Sequence, residues 1–198
     1  MLLLTEIRHS TERRPCGAGY ASPVGPVDGL QMVETDSAAR RRERDEWTAE
    51  LLDLEAGRIG YPVLDREGIR TLLATRRPRI AIVGASPSPM RPSHGVLLDL
   101  VGFGYDVVPV NPGADEVAGL RCYPTLREAV DATGPVDIVD VFRLPPACPE
   151  HAREAVEVGA RCLWLQLGIV SREAGRIAHE AGLAVVMNRC LAVEAARL

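Results

Sequence analysis

Five short apolar runs, rich in Val, Ile and Leu, constrain this chain more than any other feature. They cover residues 80–83, 105–110, 136–142, 162–167 and 183–187. Runs of this length suit strands buried on both faces. Segments of helical character separate them, at residues 93–102, 126–132, 150–159 and 172–181. Each crossover is long enough for a parallel, right-handed return. The pattern predicts an α/β fold: a doubly wound parallel five-stranded sheet, Rossmann-like, of order 3-2-1-4-5. Its crevice is expected at the carboxyl ends of strands 1 and 4, where the strand order reverses.

The first run opens the stretch IAIVGASPSPMRPSH, residues 80–94. Gly84 ends the strand, a proline-rich loop follows, and Ser93 stands where a helix can be capped. Small residues let the backbone approach a ligand, and a helix start favours an anion. Arg91 adds a fixed positive charge to the same loop.

Composition removes several function classes. The net charge of −4 gives no basic field for nucleic acid. No apolar run approaches the roughly 20 residues that span a bilayer, and the first residues are too short a core for a signal peptide. The expected location is cytoplasmic. The five cysteines, Cys16, Cys122, Cys148, Cys162 and Cys190, form no CxxC pair, so neither a disulfide framework nor a metal site is expected. All 23 basic residues are arginine, which excludes a Schiff-base lysine and a Walker-type phosphate lysine. No catalytic constellation emerges either. His94 lacks a partner acid and a nucleophile, and Asp137 and Asp140 on one strand do not make an acid/base pair.

The chain divides into three expected parts. Residues 1–36 read as a disordered extension, since no apolar face recurs in them. Residues 37–60 read as a charged helix and linker, capped by Ser37 and stopped by Gly57, with Trp47, Leu51, Leu52 and Leu54 as its apolar stripe. Residues 61–198 read as the compact domain, which opens with a helix capped by Asp65. The sequence after residue 187 reads as a short tail.

The crevice can be tested against known ligands. An NAD site wants GxGxxG after strand 1 and an acid closing strand 2. The turn here is GASPSP, and strand 2 ends in Val110-Asn111-Pro112. Both features are missing.

The strings IAIVGASPSPMRPSH, YDVVPVNPGADEVAGLRCYPTL, VDIVDVFR, WLQLGI and VVMNRC fall at four strand ends and in the loop after strand 2. In these, residues 61–194 resemble the small bacterial CoA-binding proteins, whose fold is the CoA-binding domain of succinyl-CoA synthetase α subunits. The resemblance implies coenzyme A or an acyl-CoA as ligand. It implies a diphosphate over Gly84, Ala85, Ser86 and Pro87, with Ser88, Arg91 and Ser93 in reach of phosphate. The adenosine side would lie near Val110, Asn111 and Pro112. The pantetheine arm would pass Val141, Phe142 and Arg143, then Gln166, Leu167 and Gly168. The family often carries a lysine after the Asn-Pro pair, where this chain has Gly113 and Ala114; Arg121 and Arg91 are the candidates to replace it. The functional expectation is a non-catalytic CoA-binding protein, serving as a carrier, a sensor or a subunit of a larger acyl-CoA system, with a protein partner or a second copy as company. The alternatives are an NAD(P)-binding oxidoreductase and a regulatory module on the same fold.

Overall fold

The computed structural model describes residues 29–74 and 77–198, with side chains from residue 38 onward. In chain order the elements are α1 (Gly29–Glu55), α2 (Arg66–Ala74), β1 (Arg79–Val83), α3 (Pro92–Gly102), β2 (Asp106–Val110), β3 (Glu116–Val117), β4 (Leu120–Arg121), α4 (Leu126–Thr133), β5 (Ile138–Val141), α5 (Cys148–Glu157), β6 (Cys162–Leu165), α6 (Arg172–Glu180), β7 (Ala184–Val186) and α7 (Leu191–Ala195). A 3-10 turn, Pro145–Ala147, leads into α5. The chain divides into two units, residues 1–40 and residues 41–198, and the second holds the sheet.

The five sheet strands are all parallel, as their β-branched runs predict. Their order is β2-β1-β5-β6-β7. Counted as sheet strands this is 2-1-3-4-5, a correction to the expected 3-2-1-4-5. The third strand, β5, returns to pair with β1 instead of lying outside β2. Pro109 supplies the reason. Its carbonyl points outward and accepts the Tyr123 N–H at 3.0 Å, so its nitrogen faces outward too and has no proton to give. A strand there would lose a rung, which confines proline to an edge. The β3–β4 hairpin and Tyr123 cover this edge instead, with the Asn111 N–H donating to the Tyr123 carbonyl at 2.8 Å. The order reversal, and with it the crevice, therefore lies between β1 and β5 rather than between strands 1 and 4.

Two cores flank the sheet. On one face Ala81, Val83, Val139 and Leu163 meet α4, α5 and α6 through small residues such as Ala129, Ala152, Ala155, Ala174 and Ala178. On the other, Ile80, Ile82, Ile138, Cys162 and Trp164 meet α2, α3 and α7 through larger ones such as Ile69, Leu73, Leu97 and Leu100. Trp164 and Cys162 are core residues, as alternation within β6 suggests.

Local chemistry sets several boundaries. The Asp65 carboxylate accepts the Gly68 N–H at 2.8 Å at the start of α2. The Ser171 hydroxyl accepts the Ala174 N–H and caps α6. Helix α1 starts at Gly29, ahead of Ser37; residues 1–28 and Cys16 lie outside the described residues. From residue 41 on, α1 lies in the unit with the sheet. Leu51 and Leu54 pack against the α4–α6 core, and the Trp47 indole donates to the Gly168 carbonyl at 3.2 Å. Asp53 pairs with Arg172 at the head of α6. The last segment is not a bare tail: α7 buries Leu191, Ala192 and Ala195. No helix among the described residues is long and apolar enough to cross a membrane.

Candidate functional site

The carboxyl ends of β1 and β5 are in register, Val83 opposite Val141, so their loops leave the sheet side by side. Gly84 makes the first turn at φ +88°, a conformation that side chains rarely adopt. A Cβ there would stand 2.6 Å from the Phe142 carbonyl oxygen, so the two loops touch backbone to backbone. The Gly84 N–H donates to the Val110 carbonyl at 2.9 Å, which ties in the end of β2 as well.

The following loop is braced by its own serines. The Ser86 N–H donates to the Ser93 hydroxyl at 3.1 Å, and the Ser88 N–H donates to the Ser86 hydroxyl at 3.2 Å. Ser93 is therefore not the helix cap. Helix α3 begins at Pro92, with Arg91 in the cap position and no side-chain cap bond, and Ser93 is buried beneath the loop. Proline at the first helical position removes one of the unpaired N–H groups of the first turn, and the His94 N–H donates to the Arg91 carbonyl at 3.0 Å. Ala85 is buried with it, whereas Pro87, Ser88 and Arg91 are exposed. His94 Nδ1 lies 3.0 Å from the Ser86 carbonyl; a carbonyl only accepts, so Nδ1 carries the proton.

Asn111 joins the second loop to the first. Its amide donates to the Ala85 carbonyl at 2.6 Å, and its side-chain oxygen accepts the Gly113 N–H at 3.0 Å. Arg143 reaches over the glycine turn, its Nε 3.2 Å from the position of a Gly84 Cβ. Neither Arg143 nor Arg91 has an ion-pair partner among the described residues. Arg121 lies over the Tyr123 ring, 5.2 Å from its centroid. Beside Arg143 a cavity of about 430 Å³ opens between β1, β2, α4 and α5. Val83, Val110, Pro112, Pro124, Leu126 and Ala147 form its apolar walls, and Thr125, His151 and Glu154 its polar ones. His151 Nδ1 and a Glu154 carboxylate oxygen are 2.7 Å apart.

The expected residues thus gather at one end of the sheet, in two depths. Val110 and Val141 are buried strand ends that form the floor, and Phe142 is half-buried against the α3 side. Pro112, Leu167 and Gly168 are exposed at the surface of the crevice, and Arg143 is half-buried. Gln166 is buried; its amide donates to Asp140 at 2.9 Å and its oxygen accepts the Leu167 N–H at 3.4 Å. Burial pushes the Asp140 carboxyl up to about 8, against the opposing effect of the Gln166 hydrogen bond. Its second oxygen has no partner among the described residues.

Spacing along the chain does not reveal Asp140 and Gln166 as a pair, because they sit on neighbouring strands. Nor does it find His151 and Glu154, or Asn188, whose side chain accepts the Gly168 N–H at 2.8 Å. The one signal for the second pair is polarity at positions three apart on α5, which face the same way.

The donor set fits an anionic nucleotide: a glycine turn that admits a close approach, two arginines without carboxylate partners, and an apolar cavity beside them. A family model for the CoA binding domain matches residues 78–196. The chain belongs to this CoA-binding domain family.

The match covers β1 to α7 and leaves α1 and α2 outside. Among relatives, the chain is 42% identical over 118 residues to the uncharacterized protein YneT of Bacillus subtilis (strain 168), covering 60% of this chain and 85% of YneT. It is 28% identical over 121 residues to acetate–CoA ligase (ADP-forming) I of Archaeoglobus fulgidus, covering 57% of this chain and only 17% of the ligase. This chain is therefore similar to one part of a much longer ligase. Among solved structures, a hypothetical protein from Pyrococcus horikoshii OT3 superposes with a TM-score of 0.63 at 43% identity, over 68% of this chain and 92% of that one.

Proposed function

We propose that the protein is a non-catalytic binder of CoA or acyl-CoA, serving as a carrier, a sensor or a subunit of a larger acyl-CoA system. One observation carries the reading: Arg143, without a carboxylate partner among the described residues, lies over a glycine turn that a Cβ would block. A diphosphate laid over Gly84, Ala85, Ser86 and Pro87 takes the place of the missing counter-charge, with the Ser86 and Ser88 hydroxyls and the Arg91 side chain at hand. Ser93 acts one step back, by holding the Ser86 amide. The adenosine end fits the cavity walled by Val110 and Pro112, and Asn111 fixes the distance between the two loops. The pantetheine arm runs past Phe142 and Arg143 to Gln166, Leu167 and Gly168.

The non-catalytic part rests on how the polar groups are used. The Thr125 hydroxyl, in the cavity wall, donates to Glu128 and accepts the Glu128 N–H as the cap of α4. The His151–Glu154 pair is thus left without an adjacent nucleophile in that wall. His94 spends its Nδ1 proton on a backbone carbonyl.

Calorimetry and thermal shift on ligand-stripped protein test the reading, with CoA, dephospho-CoA and NAD in parallel. CoA is expected to bind saturably and to raise the melting temperature. Dephospho-CoA is expected to bind nearly as well, since Gly113 and Ala114 offer no charge and Arg121 is stacked on Tyr123. Saturable NAD binding without CoA binding would contradict the proposal and favour an oxidoreductase.

A further inference from the structure

The three most exposed large apolar side chains among the described residues stand at one end of the sheet. They are Met90, 90% exposed, Leu144, 79%, and Leu167, 68%. They belong to the loops after β1, β5 and β6, three adjacent strands whose ends are in register at Val83, Val141 and Leu165. At the usual strand spacing these loops leave the sheet within about 10 Å of one another. Single exposed leucines need no explanation, but the three most exposed apolar side chains falling on three adjacent loops at one end of the sheet do.

The loops that carry them are held. Met90 sits between Pro89 and Arg91-Pro92. Leu144 precedes two prolines, and its carbonyl accepts the Ala147 N–H at 2.9 Å. The Leu167 N–H is bonded to Gln166, and the next N–H to Asn188. Trp47, brought in by α1 and bonded to the Gly168 carbonyl, adds an aromatic side chain beside Leu167. A stable protein interface buries about 800 Å² on each side. Three side chains offer roughly a few hundred, which suits a small occupant. Two of the three adjoin the arginines without carboxylate partners: Met90 is followed by Arg91, and Leu144 is preceded by Arg143. The rim therefore pairs apolar surface with positive charge, the complement of an anion carrying an aliphatic chain.

We infer that the ligand is an aliphatic acyl thioester of CoA of medium chain length, rather than free CoA or acetyl-CoA. The inference rests on the CoA reading above. The thioester lies at Gln166–Gly168, and the acyl chain turns back along the rim from Leu167 past Leu144 toward Met90. Free CoA has no group that would cover this surface.

The test is a titration of the full chain with CoA, acetyl-CoA and octanoyl-CoA, repeated on the double variant Met90→Ser/Leu144→Ser. A fully buried methylene is worth about fourfold in affinity. On a rim that covers one side of the chain, octanoyl-CoA is expected to bind at least about tenfold tighter than acetyl-CoA. The double variant should lose that gain, keep its affinity for CoA within about twofold, and melt as the parent does. Equal affinity for CoA and both thioesters, or a gain that survives in the variant, would overturn the inference and leave CoA binding intact. Self-association of the parent that the variant abolishes, without an acyl preference, would overturn it in favour of a second copy. Failure of CoA and both thioesters to bind would overturn the reading beneath it as well.

Discussion

The two ends of the sheet carry the same cation and use it differently. At the amino ends of the strands, Arg79 pairs with Asp106 at 2.6 Å and bonds the Thr133 carbonyl. Arg161, just before β6, pairs with Asp137 at 3.4 Å, and Asp137 also accepts the Arg79 N–H at 3.0 Å. Charge there is matched side by side across neighbouring strands. At the carboxyl ends, Arg91 and Arg143 have no carboxylate among the described residues. The carboxylates at this end are engaged elsewhere: Asp140 is buried on the α3 side and bonded to Gln166, Glu154 lies 2.7 Å from His151, and Glu194 pairs with Arg189 after β7. Matched charges close an end, and unmatched ones leave it open to an anion. With one residue type at both ends, the contrast comes from partners and not from composition.

The contrast breaks most readily at Gly84. Replacing it with Val puts a side chain against the Phe142 carbonyl at a positive φ. The left-handed conformation alone costs about 1–2 kcal/mol, and the overpacking adds to it. CoA affinity is expected to fall by at least about 100-fold, and chemical denaturation should show lower stability. Unchanged affinity would mean that the turn is structural only.

Asp140 sharpens the contrast through pH. Its folded value of about 8 stands above the ordinary 3.8, so the folded state holds a proton that the unfolded state releases. Stability from this group is full below about pH 4 and falls as pH rises toward 8, by at most about 1.4 kcal/mol per pH unit. Asp140→Asn is expected to flatten that part of the profile, as read from denaturation midpoints across pH 4–9. An unaltered slope would show that the carboxyl is not held neutral.

The smallest effect is expected at the amino end. Arg79→Ala should cost about 1 kcal/mol, in keeping with a partly exposed ion pair, and leave CoA affinity unchanged. Loss of affinity on that substitution would erase the distinction between the two ends.

Much of this was legible in the sequence, and for local reasons. Strands announce themselves by β-branched runs, the caps Asp65 and Ser171 by their position before an apolar period, and the Gly84 turn by the strand it ends. Strand order is a long-range property, yet Pro109 carried it: a proline in strand 2 marks an edge, which excludes a strand outside it. Ser93 was misleading because a serine before an apolar run reads as a cap, whereas the backbone had already entered the helix at Pro92 and turned the hydroxyl onto Ser86. The Asp140–Gln166 pair and the Asn188 clasp on Gly168 span 26 and 20 residues, and no local pattern links their members. The cavity wall at His151 and Glu154 depends on how α5 packs over β5 and β6, which the sequence of α5 does not state.

The most direct test is a calorimetric CoA titration of three proteins: the parent, Arg143→Ala and Arg79→Ala. An anion-binding carboxyl end predicts saturable binding to the parent, affinity at least about tenfold weaker in Arg143→Ala with its melting temperature kept, and no change in Arg79→Ala. Equal binding by all three, or no saturable binding by the parent, would contradict it.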